Sequence, residues 1–214
     1  ELLQKWTSGG EETGAAPWIG VYPVYDRNGG ENALLGAALS CRREKIFLPA
    51  AGEKEALSAK TLIRYLTELR RAALDGKVRL AVFDLKSQFD FFGMEEEELK
   101  DDGIHLDGMF DILLGAYLLN PLKNDYEPED AASEYLGETL LGRQQFAGKS
   151  SFAELLSGSG REDDTAGLSA VAEFAAQISD TLAREAEPVR KKLEEEEMLE
   201  LYERVELPLT YILY

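Results

Sequence analysis

The chain is short of the residues on which most catalytic and metal-binding chemistry depends. It holds one cysteine, Cys41, and one histidine, His105, in 214 residues. A single cysteine excludes an internal disulfide and every multi-cysteine zinc site. One histidine excludes the usual histidine metal clusters. Cys41 is read as a small, partly buried side chain and His105, between Ile104 and Leu106, as a structural residue at a strand edge. Positive charge is scarce as well: 23 Lys and Arg stand against 41 Asp and Glu, a net charge of -18. Such a surface repels a phosphate backbone at long range and has little counter-ion release to offer. That excludes an autonomous high-affinity nucleic-acid binder and leaves only local contact open. Arg42-Arg43-Glu44-Lys45 is basic but brief, and is read as turn residues with a minor chance of such contact. Gly29-Gly30 is too short for a phosphate loop and reads as a turn. No apolar run approaches the length of a membrane span and no signal peptide is visible, so a reducing cytoplasm is the expected compartment.

What is present is enough apolar content, 44%, for a real core in one large domain or two small ones. Its densest stretch is MFDILLGAYLLNP, 109–121, which predicts a helix buried on most of its circumference and stopped by Pro121. Asp111 falls in its first turn, where a carboxylate suits the helix dipole. Before it, WIGVYPVY from Trp18, a second strand over Asn32 to Ser40 and a third over Lys45 to Pro49 predict an antiparallel meander. Pro23 suits an edge position or an irregularity in the first strand. A helix capped near Ser58 carries Leu62, Leu66, Leu69 and Ala73 at helical spacing and ends at Gly76. A short strand at Leu80–Phe83, a helix through Phe92, a solvated acidic run over Glu95 to Asp102 and a brief strand near His105 lead to the central helix. A short acidic helix starts near Pro128. The Gly/Ser-rich segment 137–165 anchors through Phe146 and Phe152 to Leu156. A long arm follows with an apolar stripe from Leu168 to Leu193, which Pro188 kinks or restarts.

Three segments carry a family likeness. FDILLGAYLLNP (110–121), YEPEDAASEYLG (126–137) and VELPLTYIL (205–213) resemble parts of bacterial family-A DNA polymerases, the DNA polymerase I type. The first two are the most specific, and the likeness spans roughly 18–213. It implies an α/β fold of the ribonuclease-H-like (DnaQ-like) 3′–5′ exonuclease kind, a mixed sheet with an antiparallel meander flanked by helices. It also implies two-metal hydrolysis in active members, with carboxylates converging on two hard divalent ions. The matching positions here carry none. Tyr22 and Val24 stand where a strand Asp-x-Glu belongs, Gln88 where a metal-binding Asp belongs, and Phe174 and Ile178 where a late helix has Tyr-x-x-x-Asp.

The resemblance therefore implies a vestigial proofreading domain of the inactive, Bacillus-like type, with no catalytic, metal or cofactor site of its own. Its partner would be the polymerase domain of the same chain, with magnesium and nucleotidyl transfer in DNA replication and repair belonging there. DNA contact by these residues would be weak or absent, no membrane is involved, and the fragment would be monomeric. The expected division is a flexible 1–17, the exonuclease-like domain 18–196, and a helical junction 197–214 leading toward that further domain. The start without Met and the end within TYILY fit a piece of a longer protein. One alternative is weak metal-dependent exonuclease activity through displaced acids, namely Asp26, Glu31, Asp84, Asp90, Asp111 or Asp180. Asp26 and Glu31 are expected to face solvent. The other alternative is a free-standing acidic interaction module.

Overall fold

The computed structural model describes residues 5–6, 15–28, 31–51, 56–94, 105–123, 125–157 and 165–213. Leu2, Leu3, the Gly29-Gly30 turn, Ile104, the acidic run 95–102 and the side chain of Glu31 lie outside the described residues. Five strands form one sheet in the order β3-β2-β1-β4-β5. β1 (Trp18–Asn28), β2 (Glu31–Cys41) and β3 (Glu44–Pro49) make the meander. β4 (Arg79–Val82) and β5 (Met109–Asp111) join it in parallel.

Consecutive residues of β1 and β2, 19–21 and 36–41, are buried, so both faces of the sheet are covered there. α1 (Ala59–Leu74) begins where the Ser58 hydroxyl accepts from the Thr61 amide, and buries Leu62, Leu66, Leu69 and Ala73. A 3-10 helix (Leu85–Phe92) carries Phe89, Phe91 and Phe92 into the core. α2 (Ile112–Leu119) follows β5 directly. α3 (Pro128–Ala131) runs on into a π-helical turn at Ala132–Leu136. Two short helices, α4 (Arg143–Ala147) and α5 (Phe152–Leu156), precede the long α6 (Thr165–Glu195). α7 (Leu199–Leu201), a π-helical turn (Tyr202–Glu206) and α8 (Leu207–Ile212) end the described chain.

α6 lies across β1, β2, β3 and β4. Its approach to β1 depends on Gly20, where an added Cβ would come within 1.8 Å of the Ser179 carbonyl oxygen. Only a residue without a side chain allows that approach. The apolar stripe expected of the arm is its buried face: Val171, Ala175, Ile178, Leu182, Ala186, Val189 and Leu193 are all buried.

Several expectations are corrected. The strand expected near His105 is instead Met109–Asp111, so the central helix starts at Ile112, and Asp111, at its start as expected, is its N-cap. That helix is not buried all round: Ile112, Gly115 and Ala116 are buried, but Tyr117 is 49% exposed. Pro188 does not begin a new helix, because the arm is one helix through Glu195. Pro23 sits in the central strand rather than at an edge, beside the irregularity expected as the alternative. It is tolerated because β4 pairs β1 only at Trp18–Gly20, and the register slips just beyond it, between Val24 and Tyr25.

Candidate functional site

Where β4 ends, β1 continues and the chain turns away through Phe83 and Asp84. Asp84 holds a left-handed conformation (φ 61°) and its carboxylate accepts from the Ser87 amide, starting the 3-10 helix. This corner holds a cavity of about 200 Å³. β1 supplies Tyr22, Pro23 and Tyr25; the exit from β4 supplies Phe83, Asp84 and Gln88; α6 supplies Phe174 and Ile178. Leu113, Tyr126–Glu129, Arg143 and Phe152 complete the wall.

Four of the five positions singled out by the resemblance, Tyr22, Gln88, Phe174 and Ile178, meet in one cavity, although they are scattered over more than half the chain. The fifth, Val24, shares the face of β1 with Tyr22 by strand alternation and is fully buried, but it does not line the cavity. Phe174 is the hub of an aromatic cluster. Phe146 stacks on it at 4.4 Å, and Tyr22 and Phe152 approach at 6.3 and 6.1 Å. Burial pushes the Tyr22 hydroxyl well above its ordinary range, so it is a neutral group at any physiological pH. Gln88 is buried and donates its amide to the Phe83 carbonyl, leaving its own Oε1 without a hydrogen-bond partner.

The acids expected as replacements do not converge. Asp26 does not face solvent: it is buried, and it accepts from the Phe152 amide (3.1 Å), the Ala153 amide (2.7 Å) and Arg143 (3.2 Å). A turn position in the sequence becomes the anchor that seats the N-terminus of α5 over the cavity. Asp111 is spent on backbone amides, those of Asp84, Leu85, Leu113 and Leu114. Its burial pushes the carboxyl up to about 6 against the pull of those donors. Asp180 lies elsewhere, bonded to Ser40, Arg43 and Arg184. Asp90 is exposed on the 3-10 helix. Of these acids only Asp84 reaches the cavity.

The cavity's other acids, Glu127 and Glu129, were not legible as site residues. Burial and the charges of Glu129 and Asp130 raise the Glu127 carboxyl above its usual range. Arg143 was equally hidden in a segment that reads as Gly/Ser-rich, whereas Phe152 was legible there only as an anchoring point. The signal that went unread is the S-x-x-E box at Ser151–Glu154, which forms a reciprocal cap.

A pair of hard cations needs several convergent carboxylates. Among the described residues, no group of three or more His, Cys, Asp or Glu is placed to hold a metal ion. The residues at this corner do not fit the two-metal chemistry that the resemblance implies for active members, and no hydrolytic step follows from them. What the arrangement can do is enclose: three acids and one guanidinium rim an aromatic interior.

No protein-family model matches the chain, and no curated protein sequence matches it. Solved structures do. The chain is similar to a structure of the polymerase domain of Pol1 from M. smegmatis in complex with DNA primer-template and dNTP, at 15% identity and a TM-score of 0.60. That match covers 97% of this chain but only 29% of the other, so the chain spans under a third of that protein's length. A nuclease in its apo form matches at 14% identity and a TM-score of 0.59, over 96% of this chain and 87% of that one. The Nibbler EXO domain of Aedes aegypti matches at 12% identity and a TM-score of 0.53, over 90% and 86%. Identities this low speak for the backbone alone. With the mixed five-stranded sheet and its flanking helices, they identify the fold as the ribonuclease-H-like (DnaQ-like) 3′–5′ exonuclease fold.

Proposed function

We propose that this is an exonuclease-fold domain that has given up exonuclease chemistry and serves as a structural domain of a DNA polymerase I-type protein. One observation carries the reading. At the corner where β4 ends, Tyr22, Gln88, Phe174 and Ile178 meet, and an aromatic cluster fills the space beside them. A tyrosine kept neutral by burial, an amide, a phenyl ring and an isoleucine offer a divalent cation no anionic oxygen. In addition, Asp26 holds the first turn of α5 and Arg143 beside the corner.

The polymerase reading is supported by the three sequence segments and by the backbone likeness to a chain more than three times as long. Exposed apolar residues on the C-terminal helices, Leu201, Val205, Ile212 and Leu213, fit contact with a further domain. Nucleotidyl transfer, with its magnesium, would belong to that domain and to none of these residues.

Weak activity through displaced acids is the alternative, and Asp84, Glu127 and Glu129 are the acids left to support it. Incubating the chain with labelled single-stranded DNA and magnesium or manganese should release no 3′ nucleotides. Release that Asp84→Ala or Glu127→Ala removes would sink the proposal. Extending the reading frame past Tyr214 and finding no polymerase sequence would sink its second half.

A further inference from the structure

A second cavity, of about 340 Å³, lies at the opposite end of β1 from the aromatic corner. Four arginines line it: Arg42 and Arg43 from the β2–β3 turn, Arg79 at the start of β4, and Arg184 from the middle of α6. Trp18, Ala183 and the 15–17 segment supply the remaining wall, and among the described residues Asp180 is its one acid. In a chain of net charge -18, this is a local reversal of sign.

Three of the arginines, Arg43, Arg79 and Arg184, are held by bonds to the protein. Arg184 is bidentate on Glu138 and donates to Asp180 (3.0 Å). Arg79 bonds the Ala16 carbonyl and Glu187 (3.2 Å) and lies over the Trp18 ring at 4.2 Å. Arg43 spends one nitrogen on Asp180 (3.2 Å) and is otherwise largely exposed. Glu44, next to the pair in sequence, is drawn off by Lys5 and the Trp6 indole. Asp180 is neutralised from two sides, and each guanidinium has five donors, so Arg43 and Arg79 keep donors beyond those bonds.

A separate observation comes from the backbone. Arg42 and Arg43 both hold positive φ, 50° and 70°. A two-residue hairpin turn of this kind strongly favours Asn-Gly, and a Cβ at either position is unfavourable. Two consecutive arginines in that conformation are a local cost. Strain of this sort tends to be kept where the side chains have work to do. All four basic residues here are Arg although the chain has 11 Lys beside its 12 Arg. The planar guanidinium fork matches the oxygens of a phosphate, where Lys would give only a point charge.

We propose that this cavity binds the phosphate group of a small phosphomonoester. The doubly charged terminal phosphate would meet Arg42, Arg43 and Arg79, with Arg184 and Trp18 forming the floor and side. A nucleic-acid strand is the poorer occupant, because a chain of net charge -18 repels a long polyanion.

The test is calorimetric titration of the 214-residue chain with inorganic phosphate, with glycerol 3-phosphate, and with an oligonucleotide lacking terminal phosphates, all at one ionic strength. The first two should bind saturably with Kd at or below about 1 mM, and the oligonucleotide should not compete. The double change Arg42→Asn, Arg43→Gly installs the favoured turn and leaves Asp180 to Arg184 and Ser40. It should keep the fold while weakening phosphate about tenfold or more. Should that variant misfold, Arg43→Gln, at an exposed side chain, probes the same contact and should also weaken phosphate. Arg79→Lys should weaken binding despite keeping its charge. No saturable binding up to about 10 mM, undiminished binding in the folded variants, or tighter binding of the oligonucleotide would each overturn the proposal. None of these outcomes depends on whether the aromatic corner hydrolyses DNA.

Discussion

Asp26 ties the end of β1 to a segment more than a hundred positions away. Three donors end on its carboxylate, two from the first turn of α5 and one from Arg143. Replacing it with alanine strands those donors and should cost about 2–3 kcal/mol in urea unfolding. Asn keeps an acceptor for the amides and should cost less, so an Asp26→Asn variant as unstable as Asp26→Ala would contradict the cap. Glu185 is the opposite kind of acid. It is fully buried in α6, neither oxygen has a hydrogen-bond partner, and burial pushes its carboxyl up to about 8, helped by Glu138 and opposed by Arg184. Between its ordinary 4.5 and about 8 the folded state therefore holds a proton that the unfolded state has lost. Stability from this group is full below about 4.5 and falls as pH rises through that window. Glu185→Gln should flatten the slope and stabilise the protein by on the order of 3–5 kcal/mol above pH 8. A denaturation series showing the same pH slope in both proteins would refute it.

At the scale of elements, the fold depends on how closely α6 lies on β1. A Cβ at Gly20 would be 1.8 Å from the Ser179 carbonyl oxygen and 2.8 Å from the Ala183 nitrogen, and both are backbone atoms that cannot rotate away. Gly20→Ala must lift the helix off the strand. We expect a loss of at least about 3 kcal/mol, read as a lower urea midpoint or as failure to express in soluble form. The same helix carries Phe174 and Ile178 into the aromatic corner and Asp180 and Arg184 into the arginine cavity. One element thus serves two sites at opposite ends of β1, and the four-residue step from Phe174 to Ile178 and from Asp180 to Arg184 keeps each pair on one helix face.

For the whole molecule, the last turns matter more than a junction would suggest. The Tyr202 side chain is fully buried. Its hydroxyl accepts from the Asp111 amide at 2.7 Å, and its ring lies 4.8 Å from that of Phe110. Tyr211 meets Phe89 at 5.1 Å. Ending the chain at Glu196 uncovers β5 and the 3-10 helix together, so the truncated protein should be destabilised by several kcal/mol, roughly the 3–5 kcal/mol of a lost buried aromatic. Tyr202→Phe alone should cost about 1 kcal/mol. A truncated chain with an unchanged thermal midpoint would mean that the final helices are an appendage after all.

The sequence by itself determined the strand and helix order, the Ser58 cap and the apolar stripe of α6. Each of these is written in local spacing or in residue identity, which needs no partner to be read. Tertiary structure decided what spacing cannot carry. It buried Asp26, which looks like a turn residue, because the amides that need it arrive from more than a hundred positions away. It moved β5 to Met109–Asp111, since pairing with β4 outweighs a helical pattern over three residues. It also gathered Arg42, Arg43, Arg79 and Arg184 around one cavity, although in the chain they are scattered among a majority of acids. Long-range pairing and desolvation are properties of the assembled fold, and no stretch of chain holds them alone.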